Sequence, residues 1–127
     1  MAFMILLAMI FCHLYADYNM QGILASLKQK EWWKENYPNK QYKNDWIISL
    51  IEHAFMWSFV THAPLIYMWW GNENALVTVG GIIGIQCIFH ILIDHAKANM
   101  RAINLVEDQC LHLVQIIVSW IFGMFFI

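Results

Sequence analysis

Four apolar stretches make up most of this chain, and each is interrupted by polar residues spaced three or four positions apart. The interrupting residues are His13, Asp17 and Gln21 in the first stretch, His53 in the second, His90, Asp94 and Lys97 in the third, and Asp108, His112 and Gln115 in the fourth. Hydrophobic residues are 61% of the sequence and charged residues only 13%, which is typical of an integral membrane protein. Because an ionisable group inside a membrane is costly, each interruption indicates a functional residue.

Each stretch has about the 20 residues that an α-helix needs to cross a hydrocarbon core. We place four spans at 3–26, 46–70, 74–97 and 103–127. The sequence therefore predicts an all-α fold, a four-helix transmembrane bundle in one integral membrane domain that covers 1–127. The spans use nearly the whole chain, so we expect no soluble catalytic domain and no nucleic-acid partner.

The basic residues lie in only two segments. Five lysines separate spans one and two, and Lys97 and Arg101 lie at the turn between spans three and four. The five are Lys28, Lys30, Lys34, Lys40 and Lys43. Because basic loops stay in the cytoplasm, we predict a protein of the inner (cytoplasmic) membrane with both termini outside the cytoplasm.

The segment from Leu27 to Asn44 has a different composition from the spans. Lysines and glutamates alternate around Trp32 and Trp33, a pattern typical of an amphipathic helix whose lysines reach anionic lipid. We therefore predict a short interfacial helix on the cytoplasmic side between spans one and two.

Three glycines in the third span, Gly80, Gly81 and Gly84, predict a face on which a neighbouring helix can pack closely. The sequence leaves the oligomeric state open, and a homo-oligomer is one of the alternatives.

Helical periodicity places the polar residues on stripes. Positions i, i+4 and i+8 of a helix lie within roughly 80° of one another. The stripes are His13, Asp17 and Gln21; Gln86, His90, Asp94, Lys97 and Arg101; and Asp108, His112, Gln115 and Ser119. Stripes that face lipid would be prohibitively costly, so we expect them to face the bundle interior. His62 and His95 lie off these stripes, and we interpret His62 as structural.

The polar residues also agree in depth. At about 1.5 Å per residue, they lie roughly 5–15 Å from the cytoplasmic ends of their helices, and His13 is deepest at roughly 20 Å. We therefore expect one polar cluster in the cytoplasmic half of the bilayer, with Lys97 and Arg101 at its mouth. The outer half of every span reads as almost purely apolar, which argues against a pore through the protein.

Imidazoles and carboxylates on facing helices are common ligands for zinc, manganese and iron. The predicted metal ligands are Asp17, His53, His90, Asp94, Asp108 and His112, for one metal or for two that share a carboxylate. We expect a divalent metal, zinc first, with manganese or iron as alternatives. Two other interpretations stay open: buried Asp–His and Asp–Lys pairs that hold the bundle together, and a proton or ion path.

Four polar blocks, taken together, resemble those of a known family. The blocks HLYADYNMQ (13–21), IEHAF (51–55), HILIDHAK (90–97) and EDQCLHL (107–113) are similar in order and spacing to the small bacterial and phage membrane proteins grouped as domain of unknown function 3307. The resemblance covers nearly the whole chain and implies a four-span membrane protein, often phage-borne, whose activity is unassigned. It implies that Gln109 and Lys97 are also characteristic positions, and Ser49 stands where relatives often carry a further histidine.

The leading interpretation is an intramembrane, metal-dependent enzyme, a hydrolase of a membrane lipid or lipid-linked substrate at the cytoplasmic leaflet. Catalytic roles are assigned to His13, Gln21 and Lys97. We expect His13 to be a general base or a hydrogen-bond partner of a ligand, and Lys97 with Arg101 to contact a phosphate headgroup. The alternative is a non-enzymatic membrane protein: a metal-ion or proton transporter, or a phage factor that modifies the host envelope. A scaffold with a structural polar core is the third interpretation.

Overall fold

Six α-helices and no strand make up the computed structural model, which describes residues 1–127. The all-α fold class is thereby confirmed. The helices are α1 (Ala2–Tyr15), α2 (Leu24–Leu27), α3 (Lys30–Asn36), α4 (Asp45–Met68), α5 (Glu73–Ala98) and α6 (Leu105–Phe125). A π-helical turn, Ala16–Met20, continues α1, and a 3-10 turn, Lys40–Tyr42, precedes α4.

Three helical segments are long and apolar enough to cross a membrane: Ala2–Met20, Glu73–Ala98 and Leu105–Phe125. The prediction of four such spans is therefore wrong in number. α4 has the length, at 24 residues, but not the composition. The reason is its buried face, which is polar and includes Ser49, His53, Ser58, Thr61 and His62.

The first long helical segment is shorter than expected and ends at Met20 rather than near residue 26. Gly22 follows with φ of +47°, a left-handed conformation that glycine adopts at little cost and that ends a helix. The chain then continues into the short helices α2 and α3. α3 and the 3-10 turn lie within the segment predicted to be interfacial.

The interior of the bundle is more polar than its surface. Most of the 25 buried residues are polar, and five of them are histidines. Large apolar side chains are exposed instead, among them Phe11 at 68% and Ile88 at 61%. Water-soluble proteins show the opposite arrangement. Together with the three apolar helices, this distribution is compatible with insertion into a membrane.

The two ends of the bundle differ in what they carry. One end, here called the basic end, holds every lysine and Arg101; the other, the terminal end, holds both chain termini. At the terminal end Trp69 Nε1 donates a hydrogen bond to the carbonyl of Gly123 at 3.0 Å, and Trp120 Nε1 donates one to the carbonyl of Ala2 at 2.8 Å. These two indoles tie the ends of α4 and α6 and the start of α1 together.

At the basic end, Asn99 fastens the segment between α2 and α3 to the end of α5. Its Oδ1 accepts a hydrogen bond from the amide of Lys30 at 2.7 Å, and its Nδ2 donates one to the carbonyl of Lys28 at 3.0 Å. The segment is therefore held against the bundle, which places Lys28 above the interior.

The glycine face of α5 has no partner within the chain. A Cβ atom added at Gly80, Gly81 or Gly84 would meet nothing within 4 Å. The close packing predicted from these glycines is therefore not made between helices of one chain.

Candidate metal centre

Local features of two helices place two of the buried carboxylates. Asp17 lies in the π-helical turn Ala16–Met20, and such turns are frequent at functional sites. α6 begins with a capping box, in which the Asn104 side chain accepts a hydrogen bond from the amide of Glu107 and the Glu107 side chain accepts one from the amide of Asn104. The box fixes the start of α6, so that Asp108 lies in its first turn and is buried.

Six buried histidine and aspartate side chains come together in one place, here called the His/Asp cluster. Three overlapping groups could each hold a metal ion, because their ligand atoms lie within 4.8 Å of one another. The groups are Asp17, His53 and His90; His90, Asp94 and His112; and Asp17, Asp108 and His112. The cluster contains all the residues predicted as metal ligands, and the binding of a metal by each of them stays a prediction.

Imidazole nitrogens and carboxylate oxygens in the cluster face each other at distances too long for good hydrogen bonds. His53 Nε2 lies 3.3 Å from Asp94 Oδ2 and 3.6 Å from Asp17 Oδ1. His112 Nε2 lies 3.5 Å from Asp94 Oδ1 and 3.4 Å from Asp108 Oδ1. Hydrogen bonds between N–H and O usually span about 2.7–3.2 Å. The two Nε2 atoms and Asp108 Oδ1 are in fact buried without a hydrogen-bond partner.

Two lysines occupy the oxygens on the basic side of the cluster. Lys28 Nζ donates to Asp94 Oδ2 at 2.6 Å, and Lys97 Nζ donates to Asp108 Oδ2 at 2.7 Å. Each pairing leaves the second oxygen of the same carboxylate directed at an imidazole nitrogen. The lysines thus orient the two carboxylates, and the second oxygen of each carboxylate faces the interior of the cluster.

Two glutamines determine which nitrogen of His112 carries the proton. Gln115 Nε2 lies 3.1 Å from the main-chain carbonyl of Gln86, which can only accept, so this atom of Gln115 must be the amide nitrogen. Gln115 Oε1 therefore faces His112 Nδ1, at 3.0 Å, and accepts a hydrogen bond from it. His112 Nε2 is thus the nitrogen left to face the oxygens of Asp94 and Asp108.

A hydrogen-bonded chain connects His13 to two of the carboxylates. Trp57 Nε1 donates to His13 Nδ1 at 2.9 Å, so His13 Nε2 is the donor to Gln109 Oε1 at 3.1 Å. Gln109 Nε2 in turn donates to Asp17 Oδ2 at 3.0 Å and to Asp108 Oδ2 at 3.1 Å. Both nitrogens of His13 are engaged, and the chain orients the carboxylates as the lysines do.

His90 lies at the centre of a stack of rings. Its ring is 4.1 Å from the Trp57 ring and 4.3 Å from the His112 ring, at interplanar angles of 20° and 26°. Both of its nitrogens are buried without a hydrogen-bond partner. Nε2 lies 3.6 Å from Asp94 Oδ2. The stack thus orients an imidazole whose two nitrogens have no hydrogen-bond partner in the chain.

An open, polar cavity of about 360 Å³ leads from the basic end to Asp94. Lys97 and Arg101 line it, as expected for residues at the mouth of the cluster. Arg101 has φ of +55°, a conformation that is uncommon for residues other than glycine and is found at functional sites. Gln21 also lines this cavity, although it was expected on one face with His13. The π-helical turn changes the register, and the Gln21 side chain donates instead to the carbonyl of Asp17.

Besides His13, two histidines lie outside the cluster. His95 stacks on Trp46, with ring centroids 5.3 Å apart. His62 Nδ1 donates to the carbonyl of Ser58 at 2.6 Å. Neither residue belongs to a group that could hold a metal.

The terminal half of the bundle is less apolar than expected. On α4, Ser58, Thr61 and His62 are fully buried, and Ser58 Oγ, Thr61 Oγ1 and His62 Nε2 have no hydrogen-bond partner. The expectation that the outer half of every span is almost purely apolar is therefore wrong for α4. Ser58, Thr61 and His62 are spaced at i, i+3 and i+4, a helical pattern that could have indicated this buried polar face.

Sequence reasoning missed two residues of the site. Lys28 was grouped with the lipid-facing lysines, and nothing in its local pattern distinguishes it, because its partner Asp94 is 66 positions away. Trp57 was not singled out, although it follows His53 by four residues on α4 and so shares its face. That spacing is the one signal that could have identified it.

Comparisons of this chain with protein-family models, with curated proteins and with solved structures found no match. The resemblance to domain of unknown function 3307 stays a prediction, and the argument for function rests on the His/Asp cluster.

Proposed function

We propose that the His/Asp cluster binds a divalent metal ion within the membrane and that the protein is a metal-dependent hydrolase. One observation carries the proposal: His112 Nε2 and Asp108 Oδ1 are buried without a hydrogen-bond partner and lie 3.4 Å apart, with Asp94 Oδ1 3.5 Å from the same nitrogen. A metal ion between them would bind all three atoms. Buried polar atoms without partners are rare in proteins, so several at one point call for an explanation such as an ion.

The distances fit a metal better than they fit direct pairing. Zinc binds imidazole nitrogen and carboxylate oxygen at about 2.0–2.2 Å, which puts two ligands of a tetrahedron roughly 3.4 Å apart. The nitrogen–oxygen separations around His53, His90 and His112 are 3.3–3.6 Å. Buried Asp–His pairs would be expected to close to hydrogen-bonding distance, since the Nε2 atoms of these three imidazoles have no other partner.

The balance of charge favours one ion. Three carboxylates face two ammonium groups in the cluster, because Lys28 pairs with Asp94 and Lys97 with Asp108. A single divalent ion changes the remaining charge from one negative to one positive, whereas two ions would leave a large buried positive charge. Nitrogen and oxygen ligands without sulfur suit zinc, manganese and iron.

The mouth of the cluster suggests the substrate. A bound divalent ion supplies Lewis acidity and an activated water molecule. Lys97 and Arg101 line a cavity that opens at the basic end, and cationic side chains bind phosphate groups. We therefore propose a lipid or lipid-linked ester or phosphoester as the substrate. His13 acts through Gln109 on Asp17 and Asp108, as a positioning residue rather than a general base.

Placement in the membrane is part of the proposal. α4 would join the three apolar helices to complete a four-helix transmembrane bundle, with its polar face turned inward and exposed residues such as Phe55 and Phe59 toward lipid. The basic end would be cytoplasmic and both termini outside. We also propose membership of the domain of unknown function 3307 family, on the four polar blocks.

Topology is tested by cysteine labelling in a background in which the three native cysteines are replaced. Lys40→Cys should be protected from a membrane-impermeant reagent added to intact spheroplasts, and Asn72→Cys should react. Reaction at position 40 from the outer side would refute the proposed orientation.

Function is tested in two steps. Elemental analysis of detergent-purified protein should find about one equivalent of a transition metal, and a folded protein with none above background would refute the metal site. Protein reconstituted into vesicles of bacterial lipid should then change the lipid composition in a metal-dependent way. Unchanged lipids with a stoichiometric metal would refute the hydrolase and keep the metal site.

A metal-ion or proton transporter is the second candidate, and one observation favours it. Ser58, Thr61 and His62 extend buried polar atoms from the cluster toward the terminal end, as a transport path requires. Flux of metal or protons into the same vesicles, with lipid composition unchanged, would favour the transporter over the hydrolase.

A further inference from the structure

A second cavity, of about 260 Å³, lies at the basic end outside the membrane-crossing helices. Three aromatic rings line it: Trp33 from α3, Tyr37 after it, and Tyr42 from the 3-10 turn. Their centroids are 5.6 Å apart for Trp33 and Tyr37, 5.5 Å for Tyr37 and Tyr42, and 6.4 Å for Trp33 and Tyr42. The rings thus pack on one another and form one apolar wall.

The rest of the lining is basic. Four lysines line this aromatic–lysine cavity and no acidic residue does: Lys30, Lys34, Lys40 and Lys43. Lys34 pairs with Glu31, whereas the ammonium groups of the other three make no ion pair. An apolar wall opposite unpaired ammonium groups suits an anionic ligand that also presents C–H groups to the rings.

The cavity is held in place against the bundle. Trp33 Nε1 donates to the carbonyl of Leu27 at 2.6 Å, and the amide of Lys30 is bonded to Asn99 of α5. A few residues after Lys43 of the lining, the first turn of α4 exposes Ile47 and Ile48. An apolar surface therefore adjoins a basic one, as at a membrane interface.

We propose that this cavity is a binding site for the headgroup of an anionic phospholipid, with its phosphate among the lysines and its glycerol against the rings. The proposal rests on the proposed membrane location, but not on metal binding or hydrolysis. A volume of about 260 Å³ is below the range usual for drug-sized ligands, which suits a headgroup. The acyl chains would lie along the exposed isoleucines of α4.

The test counts lipid bound to the detergent-solubilised full chain by native mass spectrometry. Phosphatidylglycerol and phosphatidylcholine are added at equal concentration. The wild type should retain phosphatidylglycerol preferentially. The double variant Lys40→Gln with Lys43→Gln should bind it about thirtyfold more weakly, since each lysine near a membrane surface contributes roughly a fivefold factor. Tyr42→Leu, which leaves the charge unchanged, should weaken retention several-fold.

A matched control carries Asn36→Glu and Gln41→Glu, which change the net charge by the same −2 outside the cavity lining. Its affinity for phosphatidylglycerol should stay within about twofold of the wild type, because salt screens the attraction between the lipid and exposed charges that do not contact it. Equal losses in control and lysine variants, or no loss in Tyr42→Leu, would refute a built site. Displacement of the lipid by equimolar glycerol phosphate would refute a membrane lipid as the occupant.

The metal content of every variant is measured alongside. If the wild type binds no metal but shows these lipid differences, the proposed function fails and the headgroup site stands.

Discussion

The basic and terminal halves of the bundle both bury polar side chains, but the hydrogen-bond partners of these side chains differ. In the basic half the carboxylates of Asp94 and Asp108 are each held by a lysine, and most of the atoms without a hydrogen-bond partner belong to the His/Asp cluster. In the terminal half, Ser58 Oγ, Thr61 Oγ1 and His62 Nε2 are buried on α4 and have no hydrogen-bond partner.

The difference separates two reasons for a polar atom to be unsatisfied. Where the surroundings are oriented by hydrogen bonds, unsatisfied atoms converge on one point, as ligands of an ion do. In the terminal half the unsatisfied atoms belong to one turn of α4, and none of their residues is part of a group that could hold a metal. The comparison therefore favours metal chemistry in the basic half alone.

The largest effect is expected for Asp94, whose carboxylate lies within 3.6 Å of His53, His90 and His112. Asp94→Asn keeps the shape of the side chain and removes its charge. Metal affinity should fall by more than about 100-fold, because removing only a hydrogen-bond partner of a metal ligand already costs about 10–100-fold. Competition with a chelator measures it. His90→Ala, Asp108→Ala and His112→Ala should lower bound metal to a similar degree.

The matched controls for these losses are His62→Ala and His95→Ala, which remove histidines that belong to no ligand group. Both should keep the metal. Full metal content in Asp94→Asn, or loss of metal in His95→Ala, would contradict the assignment of the ligands.

A smaller loss is expected for Gln115, which accepts a hydrogen bond from His112 Nδ1. This bond turns His112 Nε2 toward Asp94 and Asp108. Gln115→Leu should weaken metal binding by about 10–100-fold, the usual cost of removing a partner of a metal ligand. Ser119→Ala, one turn further along α6, is the control because Ser119 contacts only the carbonyl of Gln115. Equal effects of both variants would mean that the amide does not select the tautomer.

At the terminal end, Gly123→Ala should affect stability and not metal. The new Cβ would lie 2.8 Å from Leu65 Cδ1 and Cδ2, and overpacking a buried site costs about 1–3 kcal/mol. The free energy of unfolding in mixed detergent measures it. Gly80→Ala is the control, since its Cβ meets open space. A loss of metal from folded Gly123→Ala would show that the two halves are coupled.

A small effect on the metal is expected for Lys97, whose side chain is 35% exposed, against 12% for Lys28. Lys97→Ala should lower metal affinity by no more than about fivefold, because exposed ion pairs contribute roughly 0–1 kcal/mol. It should nevertheless reduce lipid turnover, as the loss of a phosphate contact would. Lys28→Ala is the comparison and should reduce metal affinity more. A larger loss of metal affinity in Lys97→Ala than in Lys28→Ala would contradict the placement of Lys97 at the mouth of the cluster.

Periodicity and depth were enough to predict that Asp17, His90 and His112 belong to one buried cluster, because a regular helix fixes which residues share a face. The prediction did not anticipate the π-helical turn before Gln21, whose side chain lines the cavity at the basic end. It also overestimated the apolar character of α4, because a helix that packs its polar face inside the bundle need not be apolar over its whole length.

By itself, the sequence determined the helical class, the polar faces and the set of imidazoles and carboxylates, since these follow from local spacing and from the cost of burying charge in lipid. Only the tertiary structure decided that Lys28 reaches Asp94 and that Gln86, through Gln115, selects the tautomer of His112. These contacts join residues far apart in the chain. They depend on how the helices pack, and no local pattern encodes that.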